Sequence, residues 1–134
     1  MKAAILTSVL VAFLSVATIF AQGNEKKVLT NIEQTESGST KELTYLSEDS
    51  SEVEKKVVYH YDLSDNLLDK TDYKWDSNDG WVPTQKYEYE YNAEGKVSNV
   101  TLTKWDSKKK RWDNDKSKTT AHVYNNQGEL MAVR

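Results

Sequence analysis

Four tryptophans are the residues of this chain whose type and spacing best fit recognition chemistry. Trp75 and Trp81 flank the turn-forming stretch Asp76-Ser77-Asn78-Asp79-Gly80, and Trp105 and Trp112 flank Asp106-Ser107-Lys108-Lys109-Lys110-Arg111. An indole half exposed on a sheet offers a flat apolar ring and one N–H donor, a combination suited to stacking on sugar rings or on an extended peptide. Tyr87, Tyr89 and Tyr91 recur every second residue and would lengthen such a platform. The same residues also have a purely structural use. Indoles facing each other across neighbouring strands add about 0.5–1.5 kcal/mol beyond the area they bury.

Other chemistry is weaker. Asp76 to Gly80 looks superficially like a calcium loop, but it lacks the ligand spacing and terminal glutamate of the helix-loop-helix type. Its repeat counterpart, Lys108 to Arg111, is basic, and a metal site built into each repeat would not invert its charge. Such a basic run reads first as a solvated loop tip. His60 and His122 are the only histidines, with no cysteine to join them, so neither a metal site nor a nucleophile–base pair can be named. Glu88 and Glu90 alternate as solvent-facing strand carboxylates commonly do. Asn99-Val100-Thr101 is a glycosylation sequon only in a host with that machinery. The expectation is therefore a non-enzymatic module with no cofactor and no metal.

The elements that must position the aromatics form a repeat. Tyr59-His60-Tyr61-Asp62-Leu63-Ser64-Asp65-Asn66-Leu67 aligns with Tyr89-Glu90-Tyr91-Asn92-Ala93-Glu94-Gly95-Lys96-Val97, and Tyr124 to Leu130 repeats the core again. Lys74-Trp75-Asp76-Ser77 recurs thirty positions on as Lys104-Trp105-Asp106-Ser107. Self-similarity at this period marks stacked supersecondary units. Period-two alternation rich in Tyr, Val, Thr and Trp predicts strands at 53–61, 67–75, 81–91, 96–105, 112–124 and 129–133. Gly95 and Gly128 end turns where a left-handed backbone costs a glycine nothing, and Asp65 holds the equivalent place in the first unit. The fold class is all-β: an antiparallel meander of repeated hairpins, as an open curled sheet or a partly closed barrel. One side of that sheet is expected to collect Tyr59, Tyr61, Tyr73, the tryptophans and Tyr87, Tyr89 and Tyr91.

The core pattern Tyr-Asx-x-x-Gly/Asp-x-Leu/Val resembles the tyrosine-aspartate repeats of large bacterial surface and toxin-shell proteins. With the Trp-Asp-Ser insert, residues 55–134 are more similar to a family of small secreted Bacteroidetes proteins of unknown function. The resemblance implies a repeated β-sheet and export, and it brings no catalytic residues. Asp65 in place of the repeat glycine is a departure, as is a third unit without its Trp-Asp-Ser half.

The bulk composition agrees with export. Met1 and Lys2 precede an apolar run from Ala3 to Phe20, and Ala21 borders a polar stretch, which reads as a secretory signal over residues 1–21 cut at Ala21/Gln22. Cleavage leaves 113 residues, enough for one domain, with no membrane span. Location is expected to be periplasmic or extracellular. Residues 22–54 form an acidic N-terminal segment, either a degenerate hairpin around Ser37-Gly38-Ser39 or disordered. Residues 55–134 form the aromatic domain. With no cysteine there is no disulfide, and the mature chain holds only eighteen Leu, Ile and Val. Tyrosine and tryptophan must supply the missing burial. A net charge of −3 argues against nucleic-acid binding. The partners expected are a glycan, a peptide or another protein. The alternative role is a homo-oligomeric or cell-envelope assembly that buries the aromatic face and takes no small ligand.

Overall fold

The structure, a computed structural model, describes residues 11–21, 24–49 and 51–134. Met1 to Leu10, the start of the expected leader, and Gln22, at its expected cut, lie outside the described residues. The strands are β1 (Val11–Ala21), β2 (Asn24–Thr35), β3 (Gly38–Leu46), β4 (Val53–Tyr61), β5 (Leu67–Asp76), β6 (Gly80–Tyr91), β7 (Val97–Asp106), β8 (Arg111–Trp112), β9 (Lys118–Tyr124) and β10 (Leu130–Val133). They form a single antiparallel sheet in chain order, with the two-residue β8 pairing β7 just before β9 does. The first and last strands do not meet, so the meander is open and the barrel alternative falls away. The N-terminal hairpin is formed: β2 and β3 pair from Val28↔Tyr45 to Thr35↔Gly38. Between β3 and β4 the Ser47 and Ser51 hydroxyls hold the Asp49 carboxyl down from 3.8 to about 2.

Each repeat closes its turns in the same way. Asp62, Asn92 and Asn125 each use Oδ1 to accept the backbone N–H groups two and four residues on. Asp65, Gly95 and Gly128 then adopt the left-handed backbone, at φ of 62°, 76° and 77°. Short polar side chains of this kind stand in for a backbone turn, which is why Asx recurs at this position. The second turn repeats too. Asp76 accepts from Asn78 N and Asp79 N, and Asp106 from Lys108 N and Lys109 N. Those bonds hold both carboxyls below their ordinary value. Gly80 and Lys110 occupy equivalent left-handed positions, at φ of 75° and 52°. Lys110 also reaches across to Asp79 at 2.9 Å, so the inverted charges of the two turns bind neighbours together.

The repeat extends to defects in the ladder. The registers leave one unpaired residue at Glu54, Leu68, Thr84 and Ser98, so the bulges recur with the thirty-residue period. Thr84 secures its bulge by donating from Oγ1 to Asp72 O at 3.1 Å. A single extra residue moves everything beyond it to the opposite face. The next position in this series falls at Asn114, where the defect is larger. The strand expected over 112–124 is broken there, because Asp113 N bonds Lys104 O, Asn114–Lys116 makes one 3-10 turn, and pairing resumes at Lys118.

Burial is thin. Among residues 27–49 and 51–134 the buried apolar side chains are Val28 and Val57, alongside Thr30, Thr71, Asp72 and Thr103. The accessible surface is 9991 Å². A compact protein of this mass would expose about 7,200 Å². A single-layer sheet explains the excess, since neither face is covered by a second layer. Tyrosines do much of the stabilising work: Tyr91 and Tyr124 donate their hydroxyls to Leu67 O and Val97 O at 2.8 and 2.7 Å, tying each hairpin to its neighbour.

Candidate functional site

Residues directly opposed across antiparallel strands share a face, and successive residues alternate. Tyr87 opposes Lys70 and Leu102, and through them lies on the face of Tyr59, Tyr89 and Tyr91. Trp75 opposes Trp81 on the other face, with Tyr73. Trp105 opposes Trp112 and shares that second face with Thr101 and Thr103. The sequence-based expectation of one aromatic side is therefore wrong. The bulges at Thr84 and Ser98 break the parity rule, separating Trp81 from Tyr87 although both are odd-numbered. The seven expected site residues divide into a tryptophan set and a tyrosine set that cannot touch one ligand together through the sheet.

Several of those rings are already occupied. Lys56 Nζ lies 4.9 Å from the centre of Trp81 and 5.3 Å from that of Tyr73. Lys86 Nζ sits 5.3 Å over Trp112, and Lys70 Nζ 5.2 Å over Tyr87. A cation over an aromatic face is held by the ring quadrupole, and it blocks that face to a stacking ligand. Tyr91 spends its hydroxyl on Leu67 O. Burial pushes the hydroxyls of Tyr59, Tyr73, Tyr89 and Tyr91 up from their ordinary value, in keeping with half-covered rings. Trp75, Trp105, Tyr89 and Tyr91 are left with no lysine over their rings.

Trp75 packs edge-on against Trp81, centroids 5.2 Å apart at 75°, and remains 48 % exposed. Trp105 meets Trp112 in the same way, at 5.2 Å and 80°. The surroundings differ. The break at Asp113–Ser117 lifts the chain off the end of β7 and opens a cleft of about 660 Å³ bordered by Leu102, Trp105, Asp106 and Asp113. Lysines 104, 108, 116 and 118 complete its rim. A smaller hollow of about 390 Å³ is bordered by Trp105, Trp112 and Arg111. The larger volume falls within the range of small-ligand sites. Its back is braced by Thr103, 1 % exposed, whose hydroxyl bonds Ser117 Oγ at 2.8 Å. The Trp105 Nε1 is buried without a hydrogen-bond partner among the described residues.

Sequence reasoning missed the lysine caps and one further pair. His60 Nδ1 lies 2.7 Å from Asp69 Oδ1 because hairpin register places them directly opposite. Their spacing in the sequence carried that signal only once the register was known. Among the described residues no group of three or more His, Asp or Glu is placed to hold a metal.

No protein-family model matches the chain, and no curated protein matches it. A distant structural neighbour is a DUF3836 family protein from Bacteroides vulgatus, 18 % identical, with a TM-score of 0.40. The likeness covers 79 % of this chain and 96 % of that one.

Proposed function

We propose that this chain is an exported, non-enzymatic binding module that holds a glycan in the Trp105 cleft. The cleft itself carries the reading: a hollow sized for a small ligand, bordered by Leu102 and Trp105, at the one turn where the repeat is interrupted. Trp75, also without a lysine over its ring and more exposed, offers a stacking ring on the tryptophan face. A glycan fits better than an extended peptide. Peptides usually dock by adding a strand to a free edge. Here the edge of β7 is already taken by β8 and β9, and Lys104 O is bonded by Asp113 N.

Tryptophan emission of the mature protein, titrated with soluble polysaccharides, tests this directly. Binding that quenches or shifts the emission is expected, and Trp105→Ala should abolish it while circular dichroism still reports the sheet. A folded Trp105→Ala protein that binds as well as the parent would sink the proposal.

A second reading is favoured by one observation. Val123, Leu130, Met131 and Val133 are all exposed on the last two strands. An apolar end of this kind suits a homo-oligomeric assembly. A light-scattering mass twice that of the monomer, lost in Met131→Lys, would support it.

A further inference from the structure

Resting on the glycan reading, we infer that the Trp105 cleft selects an anionic sugar chain. The rim carries four lysines against two aspartates, in a protein whose net charge is −3. Only one of those lysines is paired: Lys116 lies 3.2 Å from Asp113. The other carboxylate, Asp106, accepts Lys108 N and Lys109 N and meets Lys109 Nζ at 3.7 Å, so it is engaged away from the rim cations. Lys104, Lys108 and Lys118 have no carboxylate within 4.0 Å among the described residues.

Lys41, Lys55 and Lys74 are also without an ion pair among the described residues, but they do not border this cleft. Lys56, Lys70, Lys86, Lys96, Lys109 and Lys110 are each matched to a nearby carboxylate. Like charges left unmatched around a concave surface repel one another, and an anion relieves that repulsion while gaining their combined attraction. The lysines come from three places, β7, the β7–β8 turn and the start of β9, and they converge only because the Asp113–Ser117 break bends the chain around them. Leu102 supplies an apolar patch for the ring on the face it shares with Lys104 and Lys118, and the lysines supply partners for the ring's substituent. The ligand class is a sugar bearing carboxylate or sulfate groups.

The test compares polygalacturonate, dextran sulfate and neutral dextran, by fluorescence titration of the mature chain in about 20 mM and about 300 mM salt, a range over which screening strengthens sharply. At least one anionic polymer is expected to bind about tenfold or more tighter than dextran at low salt and to lose most of that advantage at high salt. Whichever anion binds identifies the substituent. The triple variant K104Q/K108Q/K118Q should remove the preference. K41Q/K55Q/K74Q, with equal charge change on β3, β4 and β5 away from the cleft, should keep it. Dextran binding as tightly as both anions, with Trp105 still required, would overturn the charge selection and leave the glycan reading intact. Equal losses in the two triple variants would also overturn it, by assigning the effect to net charge. If no polymer binds, both proposals fall.

Discussion

The two tryptophan pairs are built from one pattern and end in different surfaces. In the first, Val82 and Pro83 stay paired with Lys74 and Tyr73, and only Thr84 is skipped before the ladder goes on at Gln85. In the second, five residues, Asp113 to Ser117, separate Trp112 from Lys118. The ring geometry is nearly unchanged, with 5.2 Å between centroids in each pair. What changes is the flank. Tyr73 lies beside the first pair beneath the shared Lys56, whereas its counterpart thirty residues on is the buried Thr103. A repeated fold can thus keep its scaffold and acquire a cavity by lengthening one bulge.

The largest expected effect comes from erasing that difference. Replacing Asp113–Ser117 with Val-Pro-Thr should pair β9 directly beyond Trp112 and close the cleft. Glycan binding measured by tryptophan emission is expected to vanish while the circular dichroism spectrum stays that of a sheet. Retained binding would move the site to the exposed Trp75. A smaller effect is expected from Thr103→Tyr, which imposes the first unit's residue on the second. Thr103 is nearly inaccessible, so overpacking should destabilise by about 1–3 kcal/mol, read from the midpoint of urea unfolding. A neutral result would mean that the hollow at β7 extends behind Thr103. Smallest is the contrast between Lys56→Met and Lys86→Met. Each removes one cation from an indole, worth about 0.5–1 kcal/mol at such exposed sites. Lys56 should cost more, since it also lies over Tyr73. Equal losses would show that the second ring adds nothing.

Much of this was legible in the sequence, for physical reasons that differ by element. The Asx turns could be read because one side chain decides each of them, and Asp65 takes the left-handed backbone expected of a residue standing in for glycine. The strands could be read because Tyr, Thr and Val alternate. The division into two aromatic faces could not. Thr84 and Ser98 are ordinary strand residues, and nothing in their identity marks them as unpaired. Register with the neighbouring strand decides that, and it is a property of two segments at once. The cleft was hidden for the same reason. The run Asp113-Asn114-Asp115-Lys116-Ser117 is poor in strand-forming residues and hints at an interruption, but the shape of the break appears only when Asp113 N is found on Lys104 O. The lysine caps are cross-strand contacts, thirty or fewer residues apart, and inherit the same dependence on register.

The chain-order pairing of the strands has a kinetic consequence. Nearly every strand touches only the strands beside it in the sequence. Few long loops must close before contacts form, and such low contact order favours rapid folding. A hairpin formed anywhere can template the next one, so growth can start at several points and spread. Loss of structure should run the other way, unzipping from β10 inward while the middle hairpins still exchange their amide hydrogens slowly.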